Sequence, residues 1–258
     1  MTETPPAVAR ALDELADKHE VRVVLAREVG SRAWGLAGPA SDHDVGVVFA
    51  QAPVEYAQLG TATESVHEAF AGVDVKAWNV TRLAELVVES NPTVLEFLGS
   101  DVEYVEAVDA DALAEHAHAN FVPIDLYHHY RSLATRQHEK YVRSGTDATV
   151  SRNLHLARAG LYARYVLATH AFPALDVPRF LDDEATALAV SEGVLDRVRD
   201  LVARKHAGEG GVEVGDPFPE LATELPGHVD PDVHNVRGID VDVVNAFVAR
   251  CVEAVQTS

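Results

Sequence analysis

Apolar residues recur at helical spacing over residues 6–20 (PAVARALDELADKHE). They then close up into Val21-Arg22-Val23-Val24-Leu25-Ala26, a β-branched run that predicts a buried strand. Gly30-Ser31 ends that strand, and Arg32 to Leu36 predict a short helical turn. Gly38-Pro39 breaks the chain again before Ser41-Asp42-His43-Asp44 opens a second strand, Val45 to Phe49. Ser65 to Phe70 and Val73 to Trp78 predict two further strands. Thr81 is placed to cap a helix over Arg82 to Glu89, and Asn91-Pro92 to start one over Thr93 to Leu98. Beyond about Asp109 the period changes to helical, with helices expected at 111–119, 125–143, 151–170, 177–188, 191–207 and 241–255. Between the last two, Gly208 to Asn235 is rich in Gly, Pro and acid and predicts either a disordered connection or a functional flap.

This order of elements predicts an α/β (α+β) domain over residues 1–108, followed by an all-helical domain over 109–258. At 258 residues and 47% hydrophobic, the chain has enough apolar material for both cores. No apolar run approaches the roughly 18 residues of a membrane span. The opening Met1-Thr2-Glu3-Thr4-Pro5 lacks the basic flank and apolar stretch of a secretion signal, so a cytoplasmic location is expected. The single cysteine, Cys251, excludes an intramolecular disulfide framework and a cysteine-rich zinc site, and predicts a small apolar residue on a helix face.

Charge alters the partner question. The chain carries 41 Asp and Glu against 21 Lys and Arg, a formal net charge of −20. Only four of the cations are lysines, and Ile124 and Ile239 are the only isoleucines. That composition predicts a halophilic protein. In such a protein the acidity belongs to the whole surface, and a polyanionic partner is gripped by local contacts.

One stretch carries chemistry: Gly30-Ser31-Arg32-Ala33-Trp34-Gly35, then Ser41-Asp42-His43-Asp44-Val45. An Asp-x-Asp pair alone means little here, because Asp109/Asp111, Asp230/Asp232 and Asp240/Asp242 repeat it. Asp42 and Asp44, however, open an apolar strand, where two-residue periodicity points both carboxylates to one face. Such a pair suits hard, oxygen-seeking cations such as Mg²⁺. The Gly30-Ser31 turn, joining strand to helix, can offer backbone N–H groups and a hydroxyl to a phosphate chain. Asp74, at the start of Val73-Asp74-Val75-Lys76-Ala77-Trp78, is the best candidate for a third carboxylate on a neighbouring strand. Three acids beside a phosphate-binding turn suit in-line attack of a hydroxyl on a nucleotide phosphorus.

These motifs resemble the core of the DNA polymerase β nucleotidyltransferase superfamily. The likeness is closer to its RNA repair pathway polymerase β group, through Asp74-Val75, Trp78-Asn79, Ser90-Asn91-Pro92 and Leu95-Glu96-Phe97-Leu98. It covers roughly residues 21–106 and continues more weakly to about Phe180, past His129-Tyr130, Arg152 and Arg158. Val29 stands where that group has a small residue, and Gly46 where a basic one is common. The resemblance implies a mixed sheet flanked by helices and a trailing helical domain, with a nucleoside triphosphate and two Mg²⁺ ions (or Mn²⁺) between them. It implies transfer of a nucleoside monophosphate to a hydroxyl with release of pyrophosphate. Asp42 and Asp44 would hold both ions and Asp74 the catalytic one. Gly30 and Ser31 would hold the β and γ phosphates, Arg32 would offset their charge, and Arg152 and Arg158 would contact nucleotide or acceptor. An RNA end is the acceptor this group points to. The rivals are AMP or another nucleotide placed on a protein hydroxyl, and a nucleotide-binding regulator of toxin–antitoxin type without turnover.

Other features have plainer explanations. Trp34 and Trp78 are expected to pack, and Lys140 to pair with neighbouring acids. Arg131 to His138 and Arg164 to His170 both fit a loose Arg–His pattern of helical ribonucleases, and two fits among 13 histidines show how little the pattern discriminates. The charge balance makes one prediction. If self-repulsion needs screening, the melting temperature should rise by roughly 5–10 °C between low and molar KCl, the equivalent of a few kcal/mol. An unchanged value would contradict the halophilic reading.

Overall fold

The computed structural model of the chain describes residues 4–60, 62–143, 145, 147–185, 188 and 190–256. Contacts divide it into two compact units. The first comprises Met1–Ala33, Asp42–Asn120 and Gly238–Ser258; the second comprises Trp34–Ser41 and Phe121–Arg237. The C-terminal helix thus belongs with the sheet, and a short stretch between two sheet strands belongs with the helices. Among the described residues no helix is long and apolar enough to cross a membrane.

The first unit is built on strands β1 (Arg22–Val29), β2 (Asp44–Ala50), β3 (Ser65–Phe70), β4 (Val73–Asn79) and β5 (Glu103–Glu106), in the order β3-β4-β2-β1-β5. β2 and β4 run parallel and every other pair is antiparallel, so the sheet is mixed as expected. Helix α1 (Pro6–His19) starts on a proline, which fits the first helical turn. It buries Val8, Ala11, Leu12 and Leu15 against Val45, Val47, Phe49, Val73, Val75 and Ala77 on one face of the sheet. After the short helices α2 (Gly30–Ala33) and α3 (Pro53–Tyr56) come α4 (Val80–Val88), α5 (Pro92–Leu98) and α6 (Asp111–Asn120). The C-terminal helix, α13 (Val241–Gln256), packs on α4, α6 and β2, with Cys251 buried on its inner side. Burial pushes the Cys251 thiol up to about 12, in keeping with an inert packing residue.

Several boundaries differ from expectation for identifiable reasons. β1 runs on through Arg27, Glu28 and Val29, all in register with β2, because the two polar side chains Arg27 and Glu28 are paired. Arg27 donates to the Leu98 carbonyl (2.5 Å) and meets Glu103 at 2.6 Å. β5, with the sequence Glu-Tyr-Val-Glu, showed no strand signal and is fixed by its pairing with β1. The cap of α4 is Asn79, whose side chain accepts from the Thr81 amide (3.1 Å), so the helix starts before Thr81. At Gly46 a Cβ would lie 2.6 Å from Phe97 of α5, which accounts for a glycine at a buried position of β2.

The second unit centres on α7 (Pro123–Gln137) and α8 (Val150–Thr169), with Tyr127, Tyr130 and Tyr162 fully buried. The helix expected over 125–143 changes to a π-helical turn at His138–Val142. Helix α9 (Val177–Asp183) is shorter than expected, and Thr186 and Ala187 of the expected span lie outside the described residues. Helices α10 (Glu192–His206), α11 (Pro219–Thr223) and α12 (Pro231–His234) follow. The stretch 208–235 is packed rather than disordered. Phe218, Leu221, Leu225 and Val229 are buried, and Gly160 on α8 admits the Leu221 carbonyl to where a Cβ would lie 2.4 Å from it. Those four anchors fall three and four residues apart, a helical spacing masked by the surrounding Gly, Pro and acid.

Candidate active site

The site is assembled at one end of the parallel pair. Asp44 is the first residue of β2 and Asp74 the second of β4, and the two stand directly opposite in the register. Val45, Val47, Val73 and Val75 face α1, so Asp44 and Asp74 share the other face. Asp42 lies just before β2 and is exposed, Asp44 is half-buried and Asp74 exposed. Burial raises the Asp44 carboxyl from its ordinary value of 3.8, and the charges of Asp74, Glu28 and Asp42 raise it further; only His43 opposes them. Three carboxylates, from β1, the mouth of β2 and β4, thus crowd Asp44.

The Gly30-Ser31 turn abuts this cluster. Gly30 opens α2 with φ of +67°, a left-handed conformation that glycine adopts freely, and a Cβ there would lie 2.5 Å from Asp44 Oδ2. The glycine therefore lets the turn press against the carboxylate. Arg32, the third residue of α2, donates from Nε to the Asp42 carbonyl (3.1 Å), tying the turn to the Asp-x-Asp segment. Gly30, Ser31, Arg32, Asp42, Asp44 and Asp74 are therefore gathered within the first unit.

Arg152 and Arg158 belong to the second unit and are described within it. Arg152 meets Asp147 at 3.2 Å and stacks 4.0 Å over Tyr141. Arg158 is 3% exposed, lies 3.7 Å from the Trp34 ring centroid and is flanked by Tyr162 and Tyr130. Trp78 is buried against Phe97 in the first unit. Lys140 lies 4.8 Å over the neighbouring Tyr141 ring. His138 bonds Asp216 (2.8 Å), and His170 meets His234 at 2.8 Å.

Two residues of the site were not singled out in the sequence. Lys76 shares the face of Asp74, stands opposite Gly46 and reaches along the Trp78 ring. Partial burial lowers its ammonium from the ordinary value while Asp74 acts to raise it. Two-residue periodicity from Asp74 would have found it. Glu28 is fully buried on β1 and receives the Asp44 amide (2.9 Å), His43 Nδ1 (2.7 Å) and the Tyr104 hydroxyl. Burial, followed by the Glu28 carboxylate, pushes the Tyr104 phenol up. No local signal marks Glu28, because two of its partners lie 15 and 76 residues away.

A second acidic set lies elsewhere. Among the described residues, Glu106, Asp109 and Asp111 are the group of three whose ligand atoms all fall within 4.8 Å of one another. All three are exposed, and Asp109 accepts the Asp111 amide (2.9 Å) at the start of α6. A helix-start turn explains that cluster. The Asp42, Asp44 and Asp74 set differs in combining like-charge crowding at Asp44 with an adjacent glycine turn. Its donor chemistry, all carboxylate oxygen, fits a hard divalent cation.

An Asp-x-Asp at the mouth of one strand, a third Asp opposite Asp44 in the register and a Gly-Ser turn against Asp44 are the arrangement expected of the polymerase-β class of nucleotidyltransferases. Comparison with known families makes this specific, since residues 5–241 match the RlaP model, described as the RNA repair pathway DNA polymerase beta family. The chain belongs to that family. It is also similar to "Uncharacterized protein YcgL" of Bacillus subtilis (strain 168), 26% identical over 205 residues, 78% of this chain and 77% of that protein.

The raised Asp44 pKa has a consequence for metal-free protein. The folded chain holds this proton more tightly than the unfolded chain does, so the contribution is full below the ordinary value of 3.8 and lost as pH rises through the raised one. In EDTA at pH 7, Asp44→Asn should therefore melt above the native protein, with the gap closing below pH 3.8. Equal melting temperatures at pH 7 would show that Asp44 is not crowded.

Proposed function

We propose that the chain moves a nucleoside monophosphate from a nucleoside triphosphate to a hydroxyl, with an RNA end as acceptor and pyrophosphate as leaving group. The observation that carries this reading is the register that sets Asp44 opposite Asp74, with Gly30 pressed against Asp44. Family membership supports the reaction class and the RNA context.

Asp42, Asp44 and Asp74 would hold the divalent ions, two Mg²⁺ or Mn²⁺, and three carboxylates at the mouths of a parallel strand pair, Asp44 facing Asp74 in the register, fit that role. The chemistry such ions supply when bound is acidification of the acceptor hydroxyl and neutralisation of charge on the triphosphate. Gly30 and Ser31 offer an amide and a hydroxyl to the β and γ phosphates, and Arg32 adds a cation whose backbone anchor keeps it beside Asp42. Lys76 places a second cation on the same face. The acceptor oxygen bonds to the α-phosphorus as the bond to the pyrophosphate oxygen breaks, and the hydroxyl proton leaves to solvent. Arg152 and Arg158 take no step in this scheme, since Arg152 is paired with Asp147 and Arg158 is enclosed by aromatic rings.

The test is transfer of label from NTPs marked on the α-phosphate, in molar KCl with Mg²⁺, into mixed cellular RNA and protein. Label released by ribonuclease is the expected result, and Asp42→Ala, Asp44→Ala and Asp74→Ala should each reduce it at least about a hundredfold while still melting in one cooperative transition. Label released only by protease would move the acceptor to protein. Absence of label on either polymer with all four NTPs would contradict the proposal.

A further inference from the structure

Glu28 performs none of the steps above, yet it is a fully buried carboxylate beside the site. Burying a carboxylate is costly unless donors surround it, and an apolar residue of similar size would fill the space more cheaply. Its donors all come from the site's own scaffold. The Asp44 amide reaches Oε1 over 2.9 Å, and His43 Nδ1 reaches Oε2 over 2.7 Å. Tyr104 of β5 donates its hydroxyl to the same Oε2, and its oxygen lies 3.4 Å from His43 Nδ1, closing a triangle. The Glu28 backbone is pinned as well, its amide donating to the Val102 carbonyl (2.9 Å) and its carbonyl accepting from Ser100 Oγ (2.7 Å).

These bonds grip the one residue between the two motif carboxylates, and the amide of the second. Glu28 pairs with Val45, on the α1 side of the sheet, whereas Asp44 and Asp74 face the opposite side. The segment 41–43 has no regular structure, so the bonds to Glu28 fix His43 and the Asp44 amide where the chain itself does not.

We propose that Glu28 is a positioning residue, a buried clamp that holds the Asp42-His43-Asp44 segment from behind so that both carboxylates stay aimed at the metal face. The proposal rests on the reading that Asp42, Asp44 and Asp74 bind the divalent ions. Tyr104 is an auxiliary, because the His43 and Asp44 bonds to Glu28 stand without it.

The experiment is Mn²⁺ titration of the full nucleotide-free chain, followed by the electron paramagnetic resonance signal of free Mn²⁺, with melting temperature recorded for each variant. Glu28→Gln keeps the size but offers one acceptor oxygen in place of two. It should bind Mn²⁺ about tenfold or more weakly, the scale on which residues supporting metal ligands act. Its transfer kcat should fall with KM for NTP unchanged, and Tyr104→Phe should stay within about threefold of native Mn²⁺ affinity. Native affinity in Glu28→Gln would overturn the proposal. Should Glu28→Gln fail to fold, His43→Ala carries the test, since it cuts one arm of the clamp from its more exposed end; weakened Mn²⁺ binding supports the clamp and native binding overturns it. Asp44→Asn separates the two levels of the argument. If it binds Mn²⁺ as the native chain does, the metal-site reading falls and the clamp with it; if it loses Mn²⁺ while Glu28→Gln does not, only the clamp falls.

Discussion

The parallel pairing of β2 with β4 is the constraint on which the rest depends. It sets Asp44 against Asp74, two like charges that would separate if free to do so. What holds them is on the other face of the same strands, where Val45, Val47, Phe49, Val73, Val75 and Ala77 are buried under α1. Fully burying a side chain such as Val or Phe contributes about 1.5–3 kcal/mol. Repulsion between two carboxylates near a surface is about 1–4 kcal/mol at close range. Several apolar side chains outweigh one repulsive pair, so the sheet can carry a charge conflict at its end. The strand register, held by the apolar face, thus fixes where Asp44 and Asp74 stand.

The same logic explains why parts of the site were legible in the sequence and others were not. β4 alternates apolar and polar residues, β3 does so less strictly and β2 is a continuous buried run after Asp44, and the three boundaries follow from those patterns to within a residue. Asp42, Asp44 and Asp74 were visible because they sit at the mouths of those strands. Gly30-Ser31 was visible because glycine marks a break, and the structure adds the reason that only glycine fits against Asp44. Glu28 and β5 were hidden. Arg27-Glu28 looks like a polar strand end, and Glu103-Tyr104-Val105-Glu106 like a charged loop, until long-range pairing buries Arg27, Glu28 and Tyr104. Burial of polar residues by distant partners leaves no periodic trace.

In the second unit, helix periodicity located α7, α8 and α10, but sequence could not show what their basic residues do. Arg158, expected to contact nucleotide or acceptor, packs among Trp34, Tyr130 and Tyr162. A guanidinium stacks on aromatic faces as readily as it binds phosphate. For the stretch 208–235, composition suggested a disordered connection or a functional flap, and the sparse anchors Phe218, Leu221, Leu225 and Val229 are buried.

Two acidic sets compete for a divalent ion, the strand-end set of Asp42, Asp44 and Asp74 and the exposed set of Glu106, Asp109 and Asp111. Proximity alone favours the second, whereas crowding, the Gly-Ser turn and membership of the family favour the first. The most direct measurement is a crystal structure with Mn²⁺ and a non-hydrolysable nucleoside triphosphate, read by anomalous scattering at the manganese edge. Anomalous peaks bounded by Asp42, Asp44 and Asp74, with the phosphates at Gly30 and Ser31, are the predicted result. Manganese confined to Glu106, Asp109 and Asp111, with no peak at the strand ends, would contradict the account.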